Sequence, residues 1–479
     1  MSHDIDMVQA ARRVLQENGF ATAFPAGIET SIPTSPSEGA VRDLRDRPWS
    51  SIDNDDSLDL DQIEVAEEDG DAVRVLVGIA DVDVFVPKGS PIDRAAAANT
   101  CSLYTGVHVF PMLPELLSTQ RSSLLADSHE RLAVVTEFVV LGDGTLDHDR
   151  TAICIARVQN RAKLAYGKVG AWLEGAGAPP VGGEPIAAQL KLQDRVAQRL
   201  RAARHMHGAL ELETIEARTV MEGGRVVDLE VQRKNRAKEL IEDLMIAANG
   251  ATAKFLEARG LSSIRRVVSA PRRWDRIVEV AAQAGTTLPP EPDGKALADF
   301  LAARRRQAPD TFPELSLSIV KLIGPGEYAL QRASDPDRGH FGLAVDDYAH
   351  STAPNRRYPD LVTQRLLKAA CTGAGAPYSD DELAQIAAHC TERENAARKV
   401  ERTMRKIVAA DLLSPRIGQT FDAIVTGVTD KGTFARLLRP PAEGRIMRGE
   451  QGLDVGDHVE VRLTATDPER GFIDFARIT

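Results

Sequence analysis

Ten carboxylates and no lysine or arginine lie between Asp53 and Asp71. Like charges at that density repel one another, so such a segment either stays solvated or gathers cations. It runs directly into VRVLVGIADVDVFV, Val73 to Val86, whose Val and Ile content and partial alternation predict a strand. Within SSIDNDDSLDLDQIE, Asp53, Asp55, Asp59 and Asp61 fall at odd positions, with Asp56 alone between them. Odd positions of a strand share a face, and a loop can bring them together as well. Carboxylates forced together raise their own pKa values unless cations neutralise them. Hard oxygen ligands of this kind suit Mg²⁺ or Mn²⁺, and a pair of such ions serves in-line phosphoryl chemistry.

Two duller readings compete. Asp53, Asp55, Ser57, Asp61 and Glu64 occupy the first, third, fifth, ninth and twelfth places of a calcium loop, but Leu58 stands where that loop requires glycine. Strand-like sequence also follows where its second helix should be. The other reading is a solvated acidic loop that binds nothing, which composition alone favours. The net charge of -11 speaks at first against nucleic acid. Yet ten of the 70 acidic residues lie in this one segment, so the rest of the chain holds 60 acidic against 59 basic residues.

A chain of 479 residues with 43% hydrophobic residues is too long for one ordinary core. No apolar run of membrane-spanning length and no basic leader is visible, and Cys101, Cys154, Cys371 and Cys390 lack paired spacing. A cytoplasmic protein without disulfides or a thiolate zinc site is expected. His205, His207 and His340 form no zinc triad, and no glycine-rich phosphate loop follows a strand, so no nucleotide cofactor is expected.

Along the chain, a helix is expected from Ile5 to Glu17, then a Pro/Ser/Thr-rich connector. Leu132 to Leu141 reads as strand, and Leu240 to Leu256 shows helical spacing with Gly260 as its stop. Ser379 and Glu382 predict a capping box opening a helix to about Leu413, ended by Ser414-Pro415. From 416 to 479, short Val, Ile and Phe runs broken by glycines predict a five-stranded OB-type barrel. The expected organisation is a short N-terminal helical arm or small helix-turn-helix-like module (1–40), an α/β (α+β) catalytic domain (41–415) and a C-terminal β-barrel (416–479).

The acidic segment has company: GIADVDVFVPKGSPIDRAA (78–96), YTGVHVFPMLP (104–114), HFGLAVDDYAHSTAPNRRYPD (340–360) and ERENAARKVERTMR (392–405). This succession resembles the RNase II family of exoribonucleases, whose RNB catalytic domain has these blocks in this order. The tail, from IGQTFDAIVTGVTDKGTFARLL, is similar to the S-one-type RNA-binding OB fold that follows many RNB domains. The resemblance implies a processive 3′-to-5′ exoribonuclease that hydrolyses single-stranded RNA to nucleoside 5′-monophosphates with Mg²⁺, Mn²⁺ being an alternative. It places Asp53, Asp59 and Asp61 on family metal-site aspartates and Arg356 on the active-site arginine. Asp59, Asp61 and Arg356 are the expected catalytic residues. Tyr104 falls on the tyrosine that stacks on the terminal base, and Glu401 on a glutamate near the RNA 3′ end. The expected partner is the 3′ end of single-stranded RNA, engaged by a monomer without membrane attachment.

The family pattern is broken in places. A fourth aspartate gives way to Gln62, so either its amide oxygen or Asp55 is a further candidate ligand. Ser262 stands where an aromatic commonly grips RNA, and the two cold-shock domains that usually precede the RNB domain do not fit in 40 residues. An RNB fold weakened in catalysis and kept as an RNA-binding regulator is the competing hypothesis. Phe421 and Phe434 are candidate RNA contacts of the barrel or parts of its core. Truncation at about residue 415 is expected to weaken RNA binding and spare hydrolysis.

Overall fold

The computed structural model describes residues 6–34, 41–213, 215–232 and 234–478. Ile5, the expected start of the first helix, lies outside them. That helix, α1, is Met7–Glu17, with the Asp6 side chain accepting from the amides of Val8 and Gln9. Its apolar face, including Ala11, Val14 and Leu15, is buried.

The central sheet is built from β1 (Arg42–Asp43), β2 (Ser50–Asp53), β3 (Gln62–Asp69) and β4 (Ala72–Ala80). A small hairpin follows, β5 (Leu103–Tyr104) with β6 (Val109–Phe110), and then β7 (Arg131–Val140), β8 (Leu146–Val158) and β9 (Ala162–Ala165). Seven of these strands form one sheet in the order β1-β8-β7-β4-β3-β2-β9. β2, β3, β4, β7 and β8 pair antiparallel with their chain neighbours in the sheet, and parallel β1 and β9 close the two edges. β4 is apolar on both faces because both are covered, as in a sheet between two layers of helices. Leu76 turns to one side with Ile63 and Trp49, and Val75 and Val77 turn to the other with Phe138.

Helix α2 (Pro91–Asn99) lies on the Leu76 side, whereas α3 (Tyr166–Leu173), α4 (Gly183–Met206) and α5 (Arg236–Glu257) cover the Val75 side. A separate apolar cluster joins α6 (Trp274–Gln283), α7 (Gly294–Gln307) and α8 (Phe312–Ile323). Helix α9 (Tyr358–Thr372) packs beside α2, with Leu361 and Leu366 buried in the same core. The long helix α10 (Asp380–Leu413) starts at the expected capping box, since Ser379 accepts from the Glu382 amide at 3.2 Å and Glu382 from the Ser379 amide at 2.8 Å. Two more hairpins are β10 (Glu216–Glu222) with β11 (Arg225–Gln232), and β12 (Ser263–Val267) with β13 (Glu327–Gln331).

One expected strand is shorter than its residue pattern predicts. Val73 to Val86 stops as strand at Ala80, because Asp81 and Asp83 turn out of the sheet to meet Lys368 (both 2.9 Å) and Asp83 meets Arg365 (2.8 Å) on α9. Ion pairs with a helix replace the ladder.

The C-terminal strands β14 (Thr420–Thr429), β15 (Gly432–Leu437), β16 (Glu443–Arg448), β17 (His458–Asp467) and β18 (Phe472–Arg477) close into a barrel. Phe421 is core rather than RNA-facing, and Phe472 is the strongly exposed aromatic of the barrel. The barrel interior is continuous with α1 and with Val400, Met404 and Ile407 of α10. Gly471, at φ +70°, permits that docking: a Cβ there would sit 2.8–2.9 Å from Lys406 and Ile407. Truncation at 415 therefore exposes buried apolar surface of α10. The expected result is a lower thermal midpoint in addition to the weaker RNA binding with hydrolysis spared that the sequence predicts; thermal unfolding of the truncated chain checks it.

Candidate active site

The loop between β2 and β3 carries the acidic residues, and buried hydroxyls shape it. Ser123 Oγ accepts from the Leu60 amide (2.9 Å) and donates to the Leu58 carbonyl (2.6 Å), while Leu124 donates to the Leu60 carbonyl (3.0 Å). On its other side Lys163 Nζ donates to the carbonyls of Asp55 and Ser57. These bonds deliver Asp61 to the mouth of the sheet, where its side chain is 2% exposed. Asp61 Oδ1 accepts from the Asn355 amide at 3.0 Å, and Oδ2 accepts from Arg356 Nε at 3.2 Å. Neither bond compensates fully for lost hydration: burial pushes Asp61 up to about 7, against the downward pull of Arg356 and the Asn355 amide. Burial, with Asp53 nearby, also raises Asp59.

Nearly 300 residues separate Asp61 from Arg356 in sequence, and a second short ladder closes that gap. Residues 100–102 run antiparallel to 356–358: Ser102 donates to the Arg356 carbonyl (3.0 Å), Tyr358 donates to the Thr100 carbonyl (2.8 Å), and Cys101 bridges Arg357. Tyr104 lies at the end of this segment, 44% exposed. Its hydroxyl is pushed up to about 12 by burial first, with Arg356 opposing and Asp59, Asp61 and Asp53 adding to the rise. Tyr104 thus shares one electrostatic neighbourhood with Arg356 and three aspartates.

The two adjacent arginines differ. Arg357 pairs with fully buried Asp360 at 2.7 Å, and Asp360 also accepts from the Ala353 amide at 2.8 Å, which fixes the loop before α9. Arg356 keeps its side chain 45% exposed beside Asp61. Behind them Arg365 joins Asp83, Asp93 and the Tyr378 hydroxyl, tying α9 to the turn after β4.

The structure sets Asp53, Asp59, Asp61, Tyr104 and Arg356 in one electrostatic neighbourhood, while the described carboxylates whose oxygens converge within 4.8 Å are Glu257, Asp337 and Asp347. Glu401 on α10 acts electrostatically on Cys101, next to that ladder. Asp55 is exposed and pairs with Lys168 at 3.5 Å. Gln62 is buried at the start of β3, and Ser262 bonds to Asp380 near the start of α10, outside the cluster. The calcium-loop geometry is absent, since β2 and β3 flank the segment where that motif has helices. His340 packs edge-on to Tyr348, its Nδ1 accepts from the Leu343 amide at 3.2 Å, and burial pushes it down to about 4, so it is neutral at pH 7. Another carboxylate group, Glu257, Asp337 and Asp347, surrounds Lys254 Nζ at 3.0, 2.9 and 3.5 Å, so a lysine already neutralises it.

Three contributors carry no clear mark in the sequence. The Asn355 amide is a backbone group, and Ser122 and Ser123 sit in an undistinguished QRSSLLAD stretch; Ser122 Oγ holds the Asn355 side chain at 2.6 Å. Glu64, on β3, is fully buried, and burial followed by repulsion from Asp53 raises its carboxyl well above the ordinary range. A carboxylate at an alternate position of an acidic strand is its available signal.

An acidic cluster with one half-exposed guanidinium, set in an α/β domain that carries a C-terminal barrel, defines the class. The RNB domain family matches residues 41–373, and the RNase II-type exonuclease C-terminal S1 domain matches 419–478. The chain therefore belongs to the RNB-domain family. It is 31% identical to Ribonuclease R of Escherichia coli (strain K12) over 95% of this chain and 59% of the relative. The chain thus spans little more than half the length of that relative. In fold it is similar to Mycoplasma genitalium RNase R in complex with ribose methylated single-stranded RNA (TM-score 0.89, 22% identity, 99% of this chain and 78% of that one). It is also similar to yeast Ssd1, a pseudonuclease (TM-score 0.73, 16% identity, 96% and 57%). Among the described residues no helix is long and apolar enough to cross a membrane.

Proposed function

We propose that this chain is a 3′-to-5′ hydrolytic exoribonuclease that degrades single-stranded RNA processively to nucleoside 5′-monophosphates, as a monomer in the cytoplasm. In this reading residues 41–415 are the catalytic unit, 416–479 the RNA-binding barrel and 1–40 a docking arm. The observation that carries it is buried Asp61, held 3.2 Å from a half-exposed Arg356 with Asp53 and Asp59 beside it. Carboxylates kept at such cost have a reason in cation binding, and their hard oxygens fit Mg²⁺, with Mn²⁺ as a substitute. When bound, a divalent cation supplies water activation and charge neutralisation at the scissile phosphate. Asp53, Asp59 and Asp61 would hold it.

The chain's own groups do the rest. The outer N–H groups of half-exposed Arg356 are the donors left for phosphate oxygens, where they would stabilise the charge that grows in the transition state. The Asn355 amide and Arg356 Nε fix the rotamer of Asp61, so its oxygens are oriented before substrate arrives. Tyr104 offers its ring to the terminal base, and Glu401 lies toward the same 3′ end. Tyr104→Ala is expected to raise KM for short RNA by about ten-fold, the stacking of one base being worth about 1–3 kcal/mol, with kcat changed far less. Steady-state kinetics on an oligonucleotide series checks this.

A second reading is an RNA-binding regulator with weakened catalysis. Gln62, and the fold likeness to a pseudonuclease, favour it. RNA blocked by a 3′-phosphate or circularised decides the direction of attack: the exonuclease reading expects such substrates to survive while open 3′ ends are consumed. Binding without consumption of any of them would leave the regulator.

A further inference from the structure

Relative to the family pattern Gln62 removes one negative charge, and a carboxylate reappears two residues along the same strand. Positions 62 and 64 share a face of β3 by strand alternation. Glu64 is fully buried, and both of its carboxylate oxygens lack a hydrogen-bond partner among the described residues. The polar groups around it are left in the same state. Ser50, its direct partner on β2, has an unpartnered hydroxyl, and Gln193 of α4 has an unpartnered amide oxygen while its Nε2 reaches the Glu64 carbonyl at 3.4 Å. Buried polar groups are almost always satisfied, so three orphans side by side mark a place where something else is bound. Asp53 stands three residues beyond Ser50 at the end of β2 and acts on Glu64 electrostatically. Asp53 and Glu64 thus influence one another electrostatically from adjacent strands.

We propose that Glu64 is a further member of the divalent-cation site, supplying from position 64 the negative charge that Gln62 does not, in company with Asp53. This rests on the reading of Asp53, Asp59 and Asp61 as metal-holding residues.

The test is Mn²⁺ binding to the RNA-free full chain, followed by calorimetric titration and by the electron paramagnetic resonance of bound Mn²⁺. Wild type, Glu64→Gln, Gln62→Asp and the double variant are compared. Glu64→Gln keeps the shape and removes the charge. Its Mn²⁺ affinity should fall about ten-fold or more, with an altered resonance spectrum, and its metal-free thermal midpoint should rise. Adding Gln62→Asp to it should restore affinity, by more than Gln62→Asp adds to wild type, a coupling that a merely structural glutamate would not give. Affinity unchanged in Glu64→Gln, or not restored in the double variant, overturns the proposal. Should Glu64→Gln fail to fold, Glu64→Ala, which leaves Ser50 and Gln193 in place, is read against the same criteria. Absence of Mn²⁺ binding by wild type itself would sink the metal-site reading as a whole, an outcome distinct from a wild type that binds equally well without Glu64.

Discussion

Asp61→Asn is expected to remove the proposed hydrolysis, by about four orders of magnitude in kcat, and at the same time to make the metal-free protein more stable. Both follow from one placement. Asp61 is 2% exposed and burial pushes it up to about 7, whereas an unfolded aspartate titrates near about 3.9. The folded state therefore binds this proton more tightly than the unfolded state. This group's contribution is most favourable below about pH 4, falls as pH rises through the window between the two values, and is least favourable above about pH 7. At pH 8 the ionised side chain costs on the order of 2–4 kcal/mol, partly offset once a cation is bound. Asparagine fills the same space without the charge. Thermal unfolding at pH 5 and pH 8 should show the variant gaining on wild type mainly at pH 8, and adding Mg²⁺ should narrow the gap. Equal gains at both pH values would contradict the account.

Replacing Arg356 should have the next largest effect, with a different signature. Its guanidinium is the half-exposed cation at the cluster, and loss of such a transition-state donor typically costs about 10²–10³ in kcat. It also pulls Asp61 downward. In Arg356→Ala the acid limb of the pH–rate profile should therefore move to higher pH, because nothing then opposes burial except the Asn355 amide. Arg356→Lys keeps a charge but loses the planar fork, so it should keep the acid limb near its wild-type position while still losing rate. Single-turnover rates across pH 5–9 separate the two. Identical profiles in wild type and Arg356→Ala would remove Arg356 from Asp61's electrostatics.

Much of the fold and of the site is legible in the amino-acid sequence, because the signals are local or periodic. The spacing of Asp53, Asp59 and Asp61, the Val-rich strand behind them, the capping box at Ser379 and the glycine-broken tail each depend on neighbours a few residues away. What tertiary packing decides is less visible. Nothing in APNRRYPD says which arginine is free; Asp360, buried three residues later, takes Arg357 and leaves Arg356 to Asp61. From sequence Glu64 is one carboxylate of a dense acidic run and the twelfth place of a calcium-loop pattern. In the structure helices cover both faces, and the side chain is fully buried. The amphipathic α1 is foreseeable, but its partners, α10 and the barrel, lie hundreds of residues away. The early end of β4 likewise depends on Lys368 and Arg365, which only the fold brings to Asp81 and Asp83.

The central claim is that the Asp53–Asp61 cluster and Arg356 consume RNA from its 3′ end. A time course on 5′-labelled single-stranded RNA with Mg²⁺, run beside Asp61→Asn and read by gel and nucleotide chromatography, tests it most directly. The account predicts that the full-length band passes to one short end product without a ladder of intermediates, that nucleoside 5′-monophosphates accumulate, and that the variant binds RNA but leaves it intact. RNA bound tightly by wild type and left uncut in both Mg²⁺ and Mn²⁺ would contradict it.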